Sequence, residues 1–259
     1  MQETVGTESV ELRARDLGVS ERFYTEAIGL ERVQDEPLGL GAGGRPLVIL
    51  RQAEAAVPPP PRATGLFHMA IRFRDRAALA GALRRLARNR VPLSGASDHG
   101  VSEALYLADP DSNGIELYRD RPRDDWPRDP DGGIGMFTAA LDIRSLLEEP
   151  SPNGEGPVEP ETDMGHVHLK VSDLERSVDF YRERLGLDLK ARYGREAAFM
   201  AAGDYHHHVG LNTWQSLGGG PPPQGSPGLE RYTIALPSRD GPEELSDPDG
   251  VTIRVVPAQ

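Results

Sequence analysis

Three segments of the chain alternate apolar and polar residues with a period of two: VELRARD at 10–16, HMAIRFRD at 68–75 and HVHLKVSD at 166–173. That period predicts strands with one face buried. Each segment ends on an aspartate and runs into a stretch whose apolar residues recur every three or four positions. RAALAGALRRLARNRV at 76–91 is the clearest of these and predicts an amphipathic helix. Short β-type runs, split by Gly-rich turns, follow each helix. The unit written three times is therefore strand, helix, then three strands.

The chain also repeats itself residue by residue. DLGVSERFY at 16–24 continues through four residues to Gly29-Leu30, and DLERSVDFY at 173–181 does the same to Gly186-Leu187. The shared pattern is DLxxSxxFYxxxxGL, with every paired position 157 apart. A second pair matches GLFHMAI at 65–71 with GLERYTI at 228–234, and DPDSNGIEL at 109–117 with DPDGVTIRV at 247–255. Fixed-period self-similarity is the signature of duplicated units. Four βαβββ modules result, at about 8–55, 64–120, 164–214 and 227–257. Between its matched segments the fourth is 25 residues shorter than the second (offsets 163 and 138), with no room for the helix and middle strands. Proline runs at 57–63 and 218–228 read as stiff connectors. The expected organisation is an N-terminal tandem of modules at 1–120, a connector at 121–163 and a C-terminal tandem at 164–259. The connector carries a candidate helix, FTAALDIRSLLEE.

Composition removes several kinds of chemistry. A net charge of −12 over 259 residues, with no basic run, argues against a nucleic-acid surface. Lysine occurs only at Lys170 and Lys190 among 29 basic residues, an arginine bias that reads as genome composition. With no cysteine there can be no disulfide, thiolate metal site or cysteine nucleophile, so any metal must be held by His, Asp or Glu. No apolar run approaches about 20 residues, and the N-terminal residues lack a signal-peptide pattern, so a cytoplasmic location and no membrane partner are expected.

All seven histidines (68, 99, 166, 168, 206, 207 and 208) fall in the two middle modules. In YHHHVGLN at 205–212, strand alternation would send His207 to one face and His206 and His208 to the other. Taken singly, His68 reads as a core histidine, Glu116 as a solvated residue of an edge strand, and His166 as a strand-capping residue. Asp109 and Asp111 lie in a plain turn and need no catalytic role.

The βαβββ repeat, the FYxxxxGL helix and the DPDSNGIELY ending resemble the vicinal-oxygen-chelate superfamily of glyoxalases, bleomycin-resistance proteins and extradiol dioxygenases. GHVHLKVSDL, YHHHVGLNTW, SDHGVSEALYL and DPDSNGIELYRDRPRDDW are similar to its four-module catechol 2,3-dioxygenase-like members. The resemblance implies an α+β fold in which modules pair into two cupped mixed β-sheets. It further implies a metal held by two histidines and a carboxylate, from the first strands of the paired modules and a last strand. The first-strand position lies seven residues before the Asp that opens each helix: Ser9, His68 and His166, with Arg231 matching in module four. The last-strand position is Glu116 in module two and Arg254 in module four. Pairing one with two, or three with four, leaves each set incomplete. Pairing two with three completes His68, His166 and Glu116, and leaves modules one and four as a degenerate outer pair.

The same resemblance places an acid–base histidine in the HHxVG pattern at 206–210, selecting His207, with a register shift to His206 or His208 left open. Tyr106, ten residues before Glu116, matches a tyrosine that bonds the substrate hydroxyl. His99, in a Gly-flanked loop just ahead of that strand, could bind the substrate or close the site, and His168 shares the face of His166. The implied activity is extradiol cleavage of a catechol-type aromatic by O2, with Fe(II) as cofactor and Mn(II) sharing the ligand set. Two other readings stay open: a glyoxalase-like lyase or isomerase, and a non-enzymatic small-molecule binder. The first of these needs a carboxylate from each paired module, which VGLNTW in module three does not offer. Partners are then a small aromatic and O2, with a homo-oligomer suggested by exposed sheet edges.

Overall fold

A computed structural model describes residues 5–55, 57–129, 132–150, 156–237 and 241–258. Positions 130–131 and 151–155 of the expected connector, 238–240 of the fourth module and the first four residues lie outside the described residues. Module one is β1 (Gly6–Ala14), α1 (Leu17–Arg22) prolonged by a π-helical turn (Phe23–Ile28), β2 (Glu31–Gln34), β3 (Leu38–Ala42) and β4 (Arg45–Gln52). Module two is β5 (Gly65–Phe73), α2 (Arg76–Arg88), β6 (Gly95–Asp98), β7 (Ser102–Ala108) and β8 (Gly114–Asp120). The connector holds β9 (Ala139–Ala140) and α3 (Ile143–Glu148). Module three is β10 (Asp163–Lys170), α4 (Leu174–Leu185), β11 (Asp188–Tyr193), β12 (Ala197–Ala201) and β13 (Val209–Asn212). Module four is β14 (Gly228–Leu236), β15 (Glu243–Ser246) and β16 (Thr252–Pro257).

The repeated aspartates are helix N-caps. Asp16, Asp75 and Asp173 accept hydrogen bonds from the backbone N–H of Val19, Ala78 and Arg176 at 3.0, 2.9 and 3.1 Å, satisfying donors that the first helical turn leaves free. The glycines that close FYxxxxGL, Gly29 and Gly186, take left-handed φ of 89° and 72°, where a side chain would be strained.

Two mixed sheets carry the strands. Seven are ordered β15-β16-β14-β1-β4-β3-β2 and nine are ordered β11-β12-β13-β10-β5-β8-β7-β6-β9. Modules three and two thus share one sheet and modules four and one the other, with the two first strands of each pair side by side at the centre. Beside each first strand runs its own module's last strand. The fourth module differs from the expectation in one respect. It has no helix among the described residues, yet it keeps a middle strand, β15, which pairs antiparallel with β16 from Glu243↔Val255 to Ser246↔Thr252. The connector differs too: Ala139 and Ala140 pair with Asp98 and Ser97 at the edge of the nine-stranded sheet. Its helix is confined to the residues after Asp142, whose side chain accepts from Ser145 N–H at 2.9 Å.

By internal packing the chain forms two compact units, Met1–Arg15 with Arg51–Met69 and Met164–Gln259, and Asp16–Leu50 with Ala70–Asp163. Each contains one copy of the same buried device. In the second, Tyr24 O–H donates to Asp109 Oδ2 at 2.9 Å, while Asp109 Oδ1 accepts from Asp111 and Asn113 N–H. In the first, Tyr181 O–H donates to Asp247 Oδ2 at 3.3 Å, while Asp247 Oδ1 accepts from Asp249 and Val251 N–H. The FY and DPD motifs are therefore two ends of one contact, and the aspartates are structural. Burial pushes the Asp247 carboxyl up to about 6.

Candidate metal centre and its surroundings

His166 and His168 stand two apart on β10, so they share a face, and both are buried. Their rings meet that of His68 from β5, at centroid separations of 5.5 and 4.9 Å. Gly210, opposite His168 in the parallel β10–β13 ladder, makes room for this: a Cβ there would come within 2.8 Å of the His168 ring. We expect Gly210→Ala to displace His168 and through it His68. The check is metal affinity by competition with a chelator, which should fall about tenfold or more, as for loss of a supporting contact to a ligand.

Glu116, on β8, pairs with Tyr106 on β7. Tyr106 O–H bonds the Glu116 carboxylate, and together with burial this raises the phenol well above its usual range, burial being the larger effect. Nε2 of His99 lies 2.8 Å from the same phenol oxygen, and Nδ1 lies 3.0 Å from the Phe137 carbonyl. Tyr106 has one proton to donate, to Glu116 or to His99, so the chain Glu116–Tyr106–His99 can relocate a proton without moving a heavy atom.

One ligand atom each from His68, Glu116 and His166 lies within 4.8 Å of the other two, and all three residues are buried. The donor set fits a divalent metal. Ligands about 2.1 Å from one ion sit roughly 3 Å apart. Two imidazoles and one carboxylate on adjacent strands also leave coordination positions open, the arrangement suited to Fe(II) or Mn(II). At the matching outer positions Arg231 pairs with Glu11 at 3.2 Å and also with Glu244. There an ion pair stands where the inner pair has ligands.

The three consecutive histidines correct one expectation. β13 begins only at Val209, so His206–His208 lie in the irregular turn before the strand and do not alternate. His207 packs its ring 4.0 Å from that of His166 and 4.9 Å from Phe199. His206 Nδ1 lies 2.7 Å from His207 Nδ1, and its ring lies tilted against that of Tyr205 at 4.1 Å. His208 turns the other way: Nδ1 accepts from Ala202 N–H, the carbonyl accepts from Thr7 Oγ1, and the ring faces Gly6. Two neighbours, His206 and His207, thus face the cluster together. Burial, followed by the neighbouring imidazoles, holds His207 well below the usual histidine range.

An aromatic wall adjoins the cluster, with Phe67 5.3 Å from Trp214 and 5.2 Å from His168. Neither Phe67 nor Trp214 is among the candidates from the sequence. The signal that was available for Trp214 is its place in YHHHVGLNTW, directly after the histidine run. Phe137 was missed because its contribution is a backbone carbonyl. No helix among the described residues is long and apolar enough to cross a membrane.

The chain belongs to the glyoxalase/bleomycin resistance protein/dioxygenase superfamily, whose model matches residues 6–117 and 163–229. Its connector and most of the short fourth module fall outside that match. Over 234 residues it is 44% identical to a Bacillus subtilis (strain 168) protein named catechol-2,3-dioxygenase, covering 88% of this chain and 82% of that one. Among solved structures, a putative dioxygenase from Bacillus subtilis subsp. subtilis str. 168 aligns over 100% of this chain and 86% of its own, with TM-score 0.63 and 12% identity. Glyoxalase I from Zea mays aligns over 98% and 93%, with TM-score 0.58 and 18% identity. At such identities the structures report a shared fold.

Proposed function

We propose that the protein is a metal-dependent extradiol dioxygenase that opens a catechol-type ring with O2, with Fe(II) as the metal and Mn(II) the runner-up. The observation that carries this reading is the buried His68–Glu116–His166 cluster with His207 packed on one ligand and Tyr106 bonded to another. The relative named catechol-2,3-dioxygenase supports it. A glyoxalase-like reaction has less support, because β13 supplies Val209–Asn212 and no carboxylate.

When bound, Fe(II) supplies a Lewis acid for two adjacent hydroxyl oxygens and redox chemistry toward O2. The chain's own groups do the rest. His207, a buried imidazole kept neutral, is placed to take a hydroxyl proton, and the Nδ1 contact from His206 fixes its ring. Tyr106 orients Glu116 and passes a proton between it and His99, which the Phe137 carbonyl holds in place. Phe67, Phe199 and Trp214, all in ring contact with His168, form a wall against which a flat ring packs.

The test is oxygen uptake by Fe(II)-loaded protein with catechol. One O2 consumed per ring opened is the expected stoichiometry. No uptake with catechol or with its alkyl- and carboxyl-substituted forms would sink the reading.

A further inference from the structure

One face of β10 carries more than the ligand. His166, His168 and Lys170 follow at two-residue intervals, so Lys170 shares their face. Asn212 sits opposite Lys170 in the β10–β13 ladder, two residues beyond Gly210, which the His168 ring touches. Parallel partners share a face, so Asn212 and Lys170 lie side by side on the ligand-bearing surface.

The internal repeat shows that Lys170 is unusual. Four residues after the ligand position, module one has Arg13, module two Arg72 and module four Ala235. Arg13 is paired with Glu230, and Arg72 with Asp163 at 3.0 Å and Asp120 at 3.3 Å. No acid among the described residues balances Lys170, and burial alone shifts its ammonium below the usual lysine range. In a chain that uses arginine almost everywhere else, a half-buried lysine without a counter-ion stands on the substrate side of the sheet.

Asn212 is an independent second sign. It is 0% exposed, and its Nδ2 has no hydrogen-bond partner. Its Oδ1 accepts from Trp214 N–H at 3.3 Å, which orients the amide and leaves Nδ2 as the donor to be used. Leaving a buried amide donor without a partner is unfavourable, so a site that keeps one has something to bind there. Its neighbour Trp214 lies 5.6 Å from His168, which ties this corner to the cluster.

The geometry points to an anion subsite: Lys170 Nζ and Asn212 Nδ2 together hold a carboxylate substituent of the aromatic substrate, while its diol faces His166 and His68. Four residues of strand separate Lys170 from His166, about 13 Å. That is a span for one ring, a short acidic arm and the lysine side chain. The inference rests on the dioxygenase reading for its diol and adds the class of substituent.

The test compares anaerobic binding of 3,4-dihydroxyphenylacetate and 4-methylcatechol to metal-loaded wild type, Lys170→Met and Lys170→Arg by calorimetry. Wild type should bind the acid at least about tenfold more tightly, the worth of a charge-assisted hydrogen bond. Lys170→Met should level the two affinities, and Lys170→Arg should keep part of the preference. Unaltered 4-methylcatechol binding in all three proteins shows that the site is intact. No preference in wild type, or a preference that survives Lys170→Met, overturns the subsite. Oxygen uptake, read separately, keeps the two readings apart. Uptake without a Lys170-dependent preference retains the reaction and removes the subsite. Lys170-dependent binding without uptake on any diol retains the subsite and removes the reaction.

Discussion

Replacement of His166 by alanine should leave a folded protein that neither retains metal nor consumes oxygen. His166 is 1% exposed, with its ring between those of His68 and His207, so its loss removes one of three donors and the surface on which His207 rests. Altering groups that merely support a ligand costs ten- to a hundredfold in metal affinity or activity. Loss of the ligand itself should exceed a hundredfold in turnover. Metal content of anaerobically purified protein should fall from about one per chain to near background. Stability gives a readout that does not depend on turnover: metal at a hundred times its dissociation constant adds about 2.7 kcal/mol to a protein that binds it only when folded. The wild-type melting transition should therefore rise with added Fe(II) or Mn(II), and that of His166→Ala should not. His68→Ala, across the pair, should behave the same way. Ser9→Ala, at the equivalent position of the outer pair, should leave metal content unchanged. Metal retained at the wild-type level in His166→Ala would refute the cluster as the binding site.

The second large effect falls on stability, far from the chemistry. Arg85 on α2 is 4% exposed and spends its guanidinium on backbone carbonyls. Nε donates to Ala27 O at 3.3 Å, Nη2 to Ile28 O, and Nη1 to Gly156 O at 2.7 Å. Two of those carbonyls end the π-helical turn, where the helix leaves acceptors unused and its dipole favours a cation. Gly29 admits the guanidinium, since a Cβ there would lie 2.5 Å from Arg85 Cζ. Arg85→Met keeps the aliphatic stem and removes every donor, leaving buried carbonyls without these partners. Each such group costs roughly 1–3 kcal/mol, so a loss of about 2–4 kcal/mol is expected. At about 2–4 °C per kcal/mol for a chain of this size, the melting temperature should drop by about 5–15 °C. Metal content should be unaffected. A shift below about 2 °C would show that water or a neighbouring side chain replaces Arg85 without loss.

Much of this was legible beforehand because the relevant physics is local. The aspartates that open the helices and the glycines that close them show in the sequence, since capping and left-handed backbone each need particular residue types. The module pairing was also legible, through counting against the ligand set that the family resemblance implies: His68, His166 and Glu116 complete it only if the second and third modules share a sheet, and they do. The histidine run misled, because alternation was applied to residues that precede the strand. Where a strand starts depends on which backbone groups its neighbour offers: β12 pairs with β13 only from Met200↔Val209 onward. A neighbouring ladder does not appear in a single segment.

The sequence by itself determined the four-module plan and the absence of thiol chemistry, because repeats and composition constrain those directly, and the resemblance to a known superfamily added the three metal-binding candidates. Only the tertiary structure decided that His206 turns toward the cluster with His207 while His208 turns away. It alone showed that the Phe137 carbonyl holds His99, that Tyr24 and Asp109 are two ends of one buried contact, and that Lys170 stands beside Asn212 without an acid. Each of these is a meeting of residues far apart in the chain, or a side-chain direction set by such a meeting. Long-range packing establishes them, and no periodicity along one segment encodes it.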